Sequence, residues 1–95
     1  MMNDRRSESR SSEDRIVEVR ILRGLRRTVS AHLVEISLSG LRIRLDHRLS
    51  EGTQLEVLIG DEHVFGVVRY CVPTKDKFDA GVLIRYAIRP QSVSA

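Results

Sequence analysis

Cysteine, tryptophan and long apolar runs are absent or nearly absent from this chain of 95 residues. Cys71 is the only cysteine, which excludes an internal disulfide and favours a reducing compartment. No apolar run approaches the ~18 residues that a membrane-spanning helix needs. The polar N-terminal segment also lacks the apolar core of a signal peptide. We therefore expect a cytoplasmic protein with no membrane span.

Sequence signals for catalysis are missing as well. The three histidines, His32, His47 and His63, do not have the spacing of metal ligands. The sequence contains no GxSxG nucleophile motif and no glycine-rich phosphate loop. We expect a protein without enzymatic activity, metal or cofactor.

Arginine dominates the basic residues. Lysine and arginine together number 16 against 13 acidic residues, and only Lys75 and Lys77 are lysines. The net charge is +3 and the isoelectric point is 9.6. Arginine presents a rigid fork of donors that suits phosphates and guanine edges. A genome that favours arginine codons would produce the same bias, so composition alone does not identify an anionic partner.

Alternating apolar residues predict six short strands separated by polar turns. The strands cover about residues 15–21, 28–36, 41–45, 55–59, 64–72 and 78–86. Gly60-Asp61 is a hairpin signal, Gly66 indicates a bulge or a bend, and we expect a turn from Pro73 to Lys77. Six strands without a helical stripe predict an all-β fold, a closed or nearly closed antiparallel β-barrel, which also leaves no open sheet edge.

One domain is expected, because half of this length could not bury a core by itself. Residues 1–14 are polar and lack periodicity, which predicts a flexible N-terminal arm. Residues 15–89 would form the barrel, and residues 90–95 a polar tail. The core must consist mainly of valine, isoleucine and leucine, and at least some of the four aromatic side chains are expected to fill it as well.

The hexapeptide Glu35-Ile36-Ser37-Leu38-Ser39-Gly40 lies between the second and third predicted strands. Residues two apart in an extended backbone point to the same face. Glu35 and Ser37 should therefore share a face, while Ile36 points into the core. Gly40 can adopt a positive φ without strain, and we expect it to act as a hinge. The segment predicts a short polar edge beside a fixed turn.

A second motif lies on the N-terminal arm. Arg6 and Arg10 have the spacing RxxxR, and 24 residues separate Arg10 from Glu35. Arginines on an unpacked arm can fold over a barrel and close on phosphates or on the O6 and N7 atoms of a guanine. The spacing alone identifies nothing, because it recurs elsewhere in this arginine-rich chain.

Together the two motifs resemble the pattern of the PilZ family, which binds the bacterial second messenger cyclic di-GMP. That pattern is RxxxR, a gap of similar length, and (D/N)xSxxG at the opening of a strand. The chain continues in a similar way through residues 40–43, 66–70 and 80–82. The resemblance covers about residues 5–86 and implies the family's β-barrel and a role as a cyclic di-GMP receptor.

The resemblance also implies roles for individual residues. Arg6 and Arg10 would bind the phosphates and guanine edges of cyclic di-GMP, and Ser37 would hydrogen-bond a guanine. Gly40 would hold the turn and leave room for the ligand. In this family an arginine at the position of Arg5 tends to accompany an intercalated dimer of ligand molecules. A protein effector, with motility or biofilm formation as the output, is what the family implies in general.

Glu35 departs from the family pattern, which has aspartate or asparagine there. Glutamate keeps an acceptor for a guanine N–H but places it one methylene further out, and a shift of about an ångström can spoil a hydrogen bond of ~2.9 Å. Two alternatives therefore stay open: a cyclic di-GMP receptor, with Glu35→Asp restoring affinity, and a PilZ-like adaptor that binds no nucleotide. A third, a barrel that binds nucleic acid, is disfavoured because aromatic stacking platforms are nearly absent.

Overall fold

The structure is a computed structural model, and it describes residues 10–24 and 26–90. These residues form six strands, β1 (Arg10–Ile21), β2 (Arg27–Ser37), β3 (Gly40–Leu45), β4 (Gln54–Ile59), β5 (Glu62–Thr74) and β6 (Lys77–Ile88). The strands close into an antiparallel barrel in the order β1-β2-β3-β6-β5-β4, which confirms the predicted fold. Within the described ranges, no helix is long and apolar enough to cross a membrane.

Aliphatic side chains fill the barrel, as the composition predicts. The largest side chains that are fully buried are Val19, Leu33, Ile43, Leu55, Val57 and Val68. They come from five of the six strands, and Ala80 and Val82 of β6 are buried with them, so the core joins the whole barrel. Burying one such side chain contributes about 1.5–3 kcal/mol.

None of the four aromatic residues belongs to this core, so the expectation that some of them fill it is wrong. Tyr70 shows the physical reason. Val68 is buried, but a shift in the register of β5 against β6 leaves Arg69 as an extra residue. Such a bulge reverses the alternation of side chains. Tyr70 therefore lies on the outer surface, where 47% of it is exposed.

A similar bulge in β2 sets the direction of the hexapeptide. Val34 is the extra residue relative to β3, between Leu33 and Glu35. Without it, the buried Leu33 would direct Glu35 inward as well. With it, Ile36 packs against the core, and Glu35 and Ser37 face an outer pocket. The predicted directions of these side chains are confirmed, and the bulge produces them.

β1 begins earlier than the apolar alternation predicts. The expected start of the barrel is Arg15, whereas β1 starts at Arg10, which pairs with Ser37 of β2. The pairing continues across a register shift into polar residues, where no apolar alternation marks the strand. Residues 10–14 therefore belong to the barrel and not to the predicted arm. The rest of that arm and most of the predicted tail lie outside the described residues.

The turn predicted from Pro73 to Lys77 is shorter than expected, because β5 continues through Pro73 to Thr74. In a two-residue hairpin the pair next to the turn, Thr74 and Lys77, exchanges the hydrogen bonds. The nitrogen of Pro73 then points to the other edge, in a part of β5 that β4 does not reach. A register shift does occur at Gly66, between Phe65 and Gly66, but the extra residue is Arg85, so the bulge lies in β6 opposite Gly66 and not in β5 as predicted.

Candidate functional site

Three of the predicted site residues line one pocket on the outer surface of the barrel. This pocket, hereafter the motif pocket, has a volume of about 250 Å³ and spans the neighbouring strands β2, β3, β6 and β5. Its lining includes Glu35, Ser37, Gly40, Arg42, Arg69 and Tyr70. The fold thus brings the hexapeptide and the adjacent β3 together with side chains of β5 that are distant in the sequence.

The turn between β2 and β3 is held by the hydroxyl of Ser37. Its Oγ accepts a hydrogen bond from the Gly40 N–H at 3.2 Å and donates to the Gly40 carbonyl, also at 3.2 Å. The Ser39 carbonyl accepts a hydrogen bond from the N–H of Ile84 at 2.9 Å, which fastens the same turn to β6. A hydroxyl has one proton and two lone pairs. Ser37 therefore keeps one acceptor position for a donor such as a guanine N–H.

Gly40 serves the turn for a different reason from the one that the sequence predicts. Its φ lies outside the left-handed region, so the expected hinge is wrong. A Cβ at this position would lie 3.1 Å from the carbonyl oxygen of Val82 on β6. Glycine is favoured here because the backbones of β3 and β6 approach each other closely beside the motif pocket.

A row of charges crosses β2, β3 and β6 beside the turn. Nη2 of Arg42 lies 3.5 Å from Oε1 of Glu35, and Nη1 lies 3.8 Å from Oδ2 of Asp79. Asp79 accepts two shorter hydrogen bonds from Arg44, at 2.6 Å from Nε and 3.0 Å from Nη2. These bonds from Arg44 are the main reason that the pKa of the Asp79 carboxyl is lowered, and they raise the pKa of Arg44. Two short hydrogen bonds from Arg44 therefore hold Asp79, and a longer ion pair joins Arg42 to Glu35.

Arg69 and Tyr70 also face the motif pocket, and the sequence does not predict either as a site residue. The ring of Tyr70 lies on Gly81 of β6, where a Cβ would come 2.5 Å from Cζ of the ring. Arg69 is exposed and has no ion-pair partner within the described part of the chain. Both residues lie in segments that carry the family resemblance. Similarity of a segment, however, does not tell which of its side chains face a ligand.

Of the three arginines predicted as site residues, the structure describes only Arg10. Arg10 opens β1, and its backbone pairs with Ser37, which lines the motif pocket. Arg5 and Arg6 lie outside the described residues. Of the six predicted positions, the structure thus places Glu35, Ser37 and Gly40 in the pocket and the backbone of Arg10 next to it.

The described residues hold no group of three or more histidine, cysteine, aspartate or glutamate side chains that could bind a metal ion.

Comparison with protein families matches the PilZ domain to residues 4–93, nearly the whole chain. A search of the curated proteins finds no match. PilZ domains are generally cyclic di-GMP receptors, and they are non-catalytic receptor or adaptor domains. On this match and on its six-stranded barrel, the chain belongs to the PilZ domain family.

Proposed function

We propose that this chain binds cyclic di-GMP in the motif pocket and acts as a non-catalytic receptor that signals to a partner protein. The observation that carries the proposal is the meeting of Glu35, Ser37 and Gly40 in one pocket, with the backbone of Arg10 beside Ser37. Membership of a family of cyclic di-GMP receptors supports the choice of ligand.

The two halves of the site offer different chemistry. On the barrel, Ser37 has an acceptor position available for a guanine N–H, and the carboxylate of Glu35 can accept from guanine N1 and N2. Tyr70 offers an aromatic surface, and stacking a base on such a surface contributes about 1–3 kcal/mol. From the N-terminal side, Arg6 and Arg10 supply charge-assisted hydrogen bonds to phosphates or to guanine O6 and N7.

The size of the motif pocket explains why the arm is needed. Ligand pockets typically enclose about 300–1,000 Å³, and about 250 Å³ gives room for part of the dinucleotide only. Arg5, Arg6 and Arg10 then cover the rest, and Arg5 favours an intercalated ligand dimer. Each charge-assisted hydrogen bond from these arginines contributes about 1.5–3 kcal/mol to binding.

The signal reaches a partner through the surface that ligand binding creates. Cyclic di-GMP held between the arm and the motif pocket presents a surface that the free protein lacks, and a partner that recognises it responds to the second messenger. No catalytic step is involved. We place this exchange in the cytoplasm, with motility or biofilm formation among the outputs that the family suggests.

Isothermal titration calorimetry of the whole chain tests the proposal. Cyclic di-GMP is expected to give saturable heat. Cyclic di-AMP has the same phosphates but lacks guanine O6 and N2, so it should bind at least about tenfold more weakly. Absence of heat and of any shift in Tm at high cyclic di-GMP concentration overturns the proposal. Equal affinity for the two nucleotides contradicts the guanine contacts assigned to Glu35 and Ser37.

The alternative is a protein adaptor that binds no nucleotide. Glu35 favours it, because the family has aspartate or asparagine there and because Arg42 lies within 3.5 Å of its carboxylate. A partner protein that binds the chain equally well with and without cyclic di-GMP, combined with no calorimetric signal from the nucleotide, would support this alternative over the first.

A further inference from the structure

Glu35 and Arg42 stand directly opposite each other on β2 and β3. Oε1 of Glu35 and Nη2 of Arg42 are 3.5 Å apart, and the side chains are 26% and 35% exposed. Salt and water screen a partly buried pair less than a fully exposed one. The separation exceeds the ~2.9 Å of a good hydrogen bond, so the contact is an ion pair across the two strands that restricts where the carboxylate of Glu35 can lie.

On its other side, Arg42 has a weaker partner. Asp79 lies 3.8 Å away, but its two oxygens already accept hydrogen bonds from Arg44. Nε of Arg42 is buried and has no hydrogen-bond partner among the described residues. Asp79 therefore leaves donors of the Arg42 guanidinium available, and Glu35 is the nearer of the two acids that Arg42 contacts.

The length of the Glu35 side chain decides whether this contact forms. An aspartate at the same backbone position would withdraw the carboxylate by one C–C bond, about 1.5 Å. The separation from Arg42 would then grow from 3.5 Å to as much as roughly 5 Å, which is beyond hydrogen-bond distance. Opposite an arginine at position 42, glutamate therefore fits better than the aspartate of the family pattern.

We propose that Arg42 is a positioning residue that holds the carboxylate of Glu35 where a guanine N–H can reach it. Glutamate is then the functional acid of this site, and its departure from the family pattern is matched by Arg42. The inference rests on the proposed binding of cyclic di-GMP. A carboxylate that is held before the ligand arrives loses less freedom on binding. Glu35→Asp therefore weakens binding, whereas the sequence alone suggests that it restores affinity.

A double-mutant cycle measured by calorimetry with cyclic di-GMP tests this. The four proteins are the natural chain, Glu35→Asp, Arg42→Lys and the double variant. Arg42→Lys keeps the positive charge but loses the fork of donors. Each single variant is expected to bind about tenfold more weakly. The double variant should bind no more weakly than either single one, because each change already removes the shared contact.

Arg20→Lys is the matched control. Arg20 lies on β1, contacts Glu18 and Glu56, which are not partners of Arg42, and does not line the motif pocket. Its replacement is expected to change the affinity by less than about twofold. Tighter binding by Glu35→Asp, additive losses in the cycle, or an equal loss in Arg20→Lys overturns the inference and leaves the proposed function standing. A natural chain that does not bind cyclic di-GMP overturns both.

Discussion

A second pocket lies against β4, β5 and β6, and its residue types are similar to those of the motif pocket. The second, hereafter the aromatic pocket, has a volume of about 350 Å³, and its lining includes Leu22, Gln54, Phe65, Gly66, Arg85 and Tyr86. Each pocket contains an arginine followed by a tyrosine, at a bulge: Arg69-Tyr70 in β5 and Arg85-Tyr86 in β6. By volume alone, the aromatic pocket would be the better candidate site.

Each pocket contains a tyrosine ring with one side covered by the protein. In the aromatic pocket Tyr86 stacks on Phe65, with ring centroids 4.8 Å apart and an angle of 16° between the planes. In the motif pocket the ring of Tyr70 lies on Gly81. Tyr70 is 47% exposed and Tyr86 is 56% exposed, so the aromatic rings alone do not distinguish the two pockets.

The polar groups do distinguish the two pockets. The motif pocket has the carboxylate of Glu35 and the hydroxyl of Ser37, whereas the polar side chains that line the aromatic pocket belong to Gln54, Arg85 and Tyr86, with no carboxylate among the described residues that line it. A nucleotide needs donors and acceptors at fixed positions for its base edge in addition to apolar contact area. The motif pocket is therefore the better candidate for a nucleotide, although its volume is the smaller of the two.

Arg10→Ala is expected to show the largest difference between the pockets. In the proposed complex Arg10 donates about two charge-assisted hydrogen bonds of roughly 1.5–3 kcal/mol each. Its loss should therefore weaken cyclic di-GMP binding by about 100-fold or more. Arg85→Ala removes the same charge from the aromatic pocket and should change Kd by less than about twofold. Calorimetric titration of both variants with cyclic di-GMP measures the two changes in Kd. Equal losses would mean that net charge, and not the motif, attracts the ligand.

The next largest difference in cyclic di-GMP affinity is expected between Tyr70→Ala and Tyr86→Ala. Loss of a stacked base corresponds to about 1–3 kcal/mol, so Tyr70→Ala should weaken cyclic di-GMP binding about tenfold. Tyr86→Ala should leave Kd unchanged but lower Tm, because the stack on Phe65 contributes about 0.5–1.5 kcal/mol. If Tyr86→Ala impaired binding and Tyr70→Ala did not, the aromatic pocket and not the motif pocket would be the nucleotide site.

Gly81→Ala and Gly66→Ala separate binding from stability. At Gly81 the new methyl group meets the ring of Tyr70, which can move aside, so we expect a loss of affinity of between about two- and tenfold. At Gly66 it would lie 2.5 Å from the carbonyl oxygen of Leu83, which belongs to the backbone. That variant should lose about 1–3 kcal/mol of stability. Thermal melts and calorimetry on the folded protein distinguish these outcomes, and the reverse pattern would contradict them.

The smallest expected effect concerns pH and stability. The pKa of Asp79 is lowered, chiefly by hydrogen bonds from Arg44. A carboxyl with a lowered folded-state pKa stabilises the fold above its unfolded value near 3.8, and that stability is lost as pH falls through the folded pKa. Asp79→Asn should therefore lower Tm at pH 7 and make little difference at strongly acidic pH. A constant difference across the pH range would show that Asp79 stabilises the barrel in another way.

Local patterns were enough to predict the six strands and the hexapeptide's polar edge. Alternation in Leu41 to Leu45 marks β3, and Gly60-Asp61 marks the turn between β4 and β5. These features depend on residues that are close together in the sequence, so they can be predicted from it. The meeting of Glu35 with Ser37 was predictable for the same reason.

Features that depend on barrel closure could not be predicted. The bulges at Val34 and Arg69 compensate for the register between neighbouring strands, which a single strand does not specify. Gly40 is explained by the approach of β6, a strand far away in the sequence. The pairing of Arg10 with Ser37 is equally non-local, and no apolar pattern extends to it. Arg42 was missed because its role depends on acids from two other strands.

A nuclear magnetic resonance titration of the isotope-labelled chain with cyclic di-GMP tests the assignment of the nucleotide site most directly. Binding in the motif pocket should shift the amide signals of Ser37, Gly40 and Gly81 the most, while those of Gly66 and Tyr86 stay in place. Unchanged spectra at high ligand concentration, or shifts centred on Gly66 and Tyr86, would contradict the assignment.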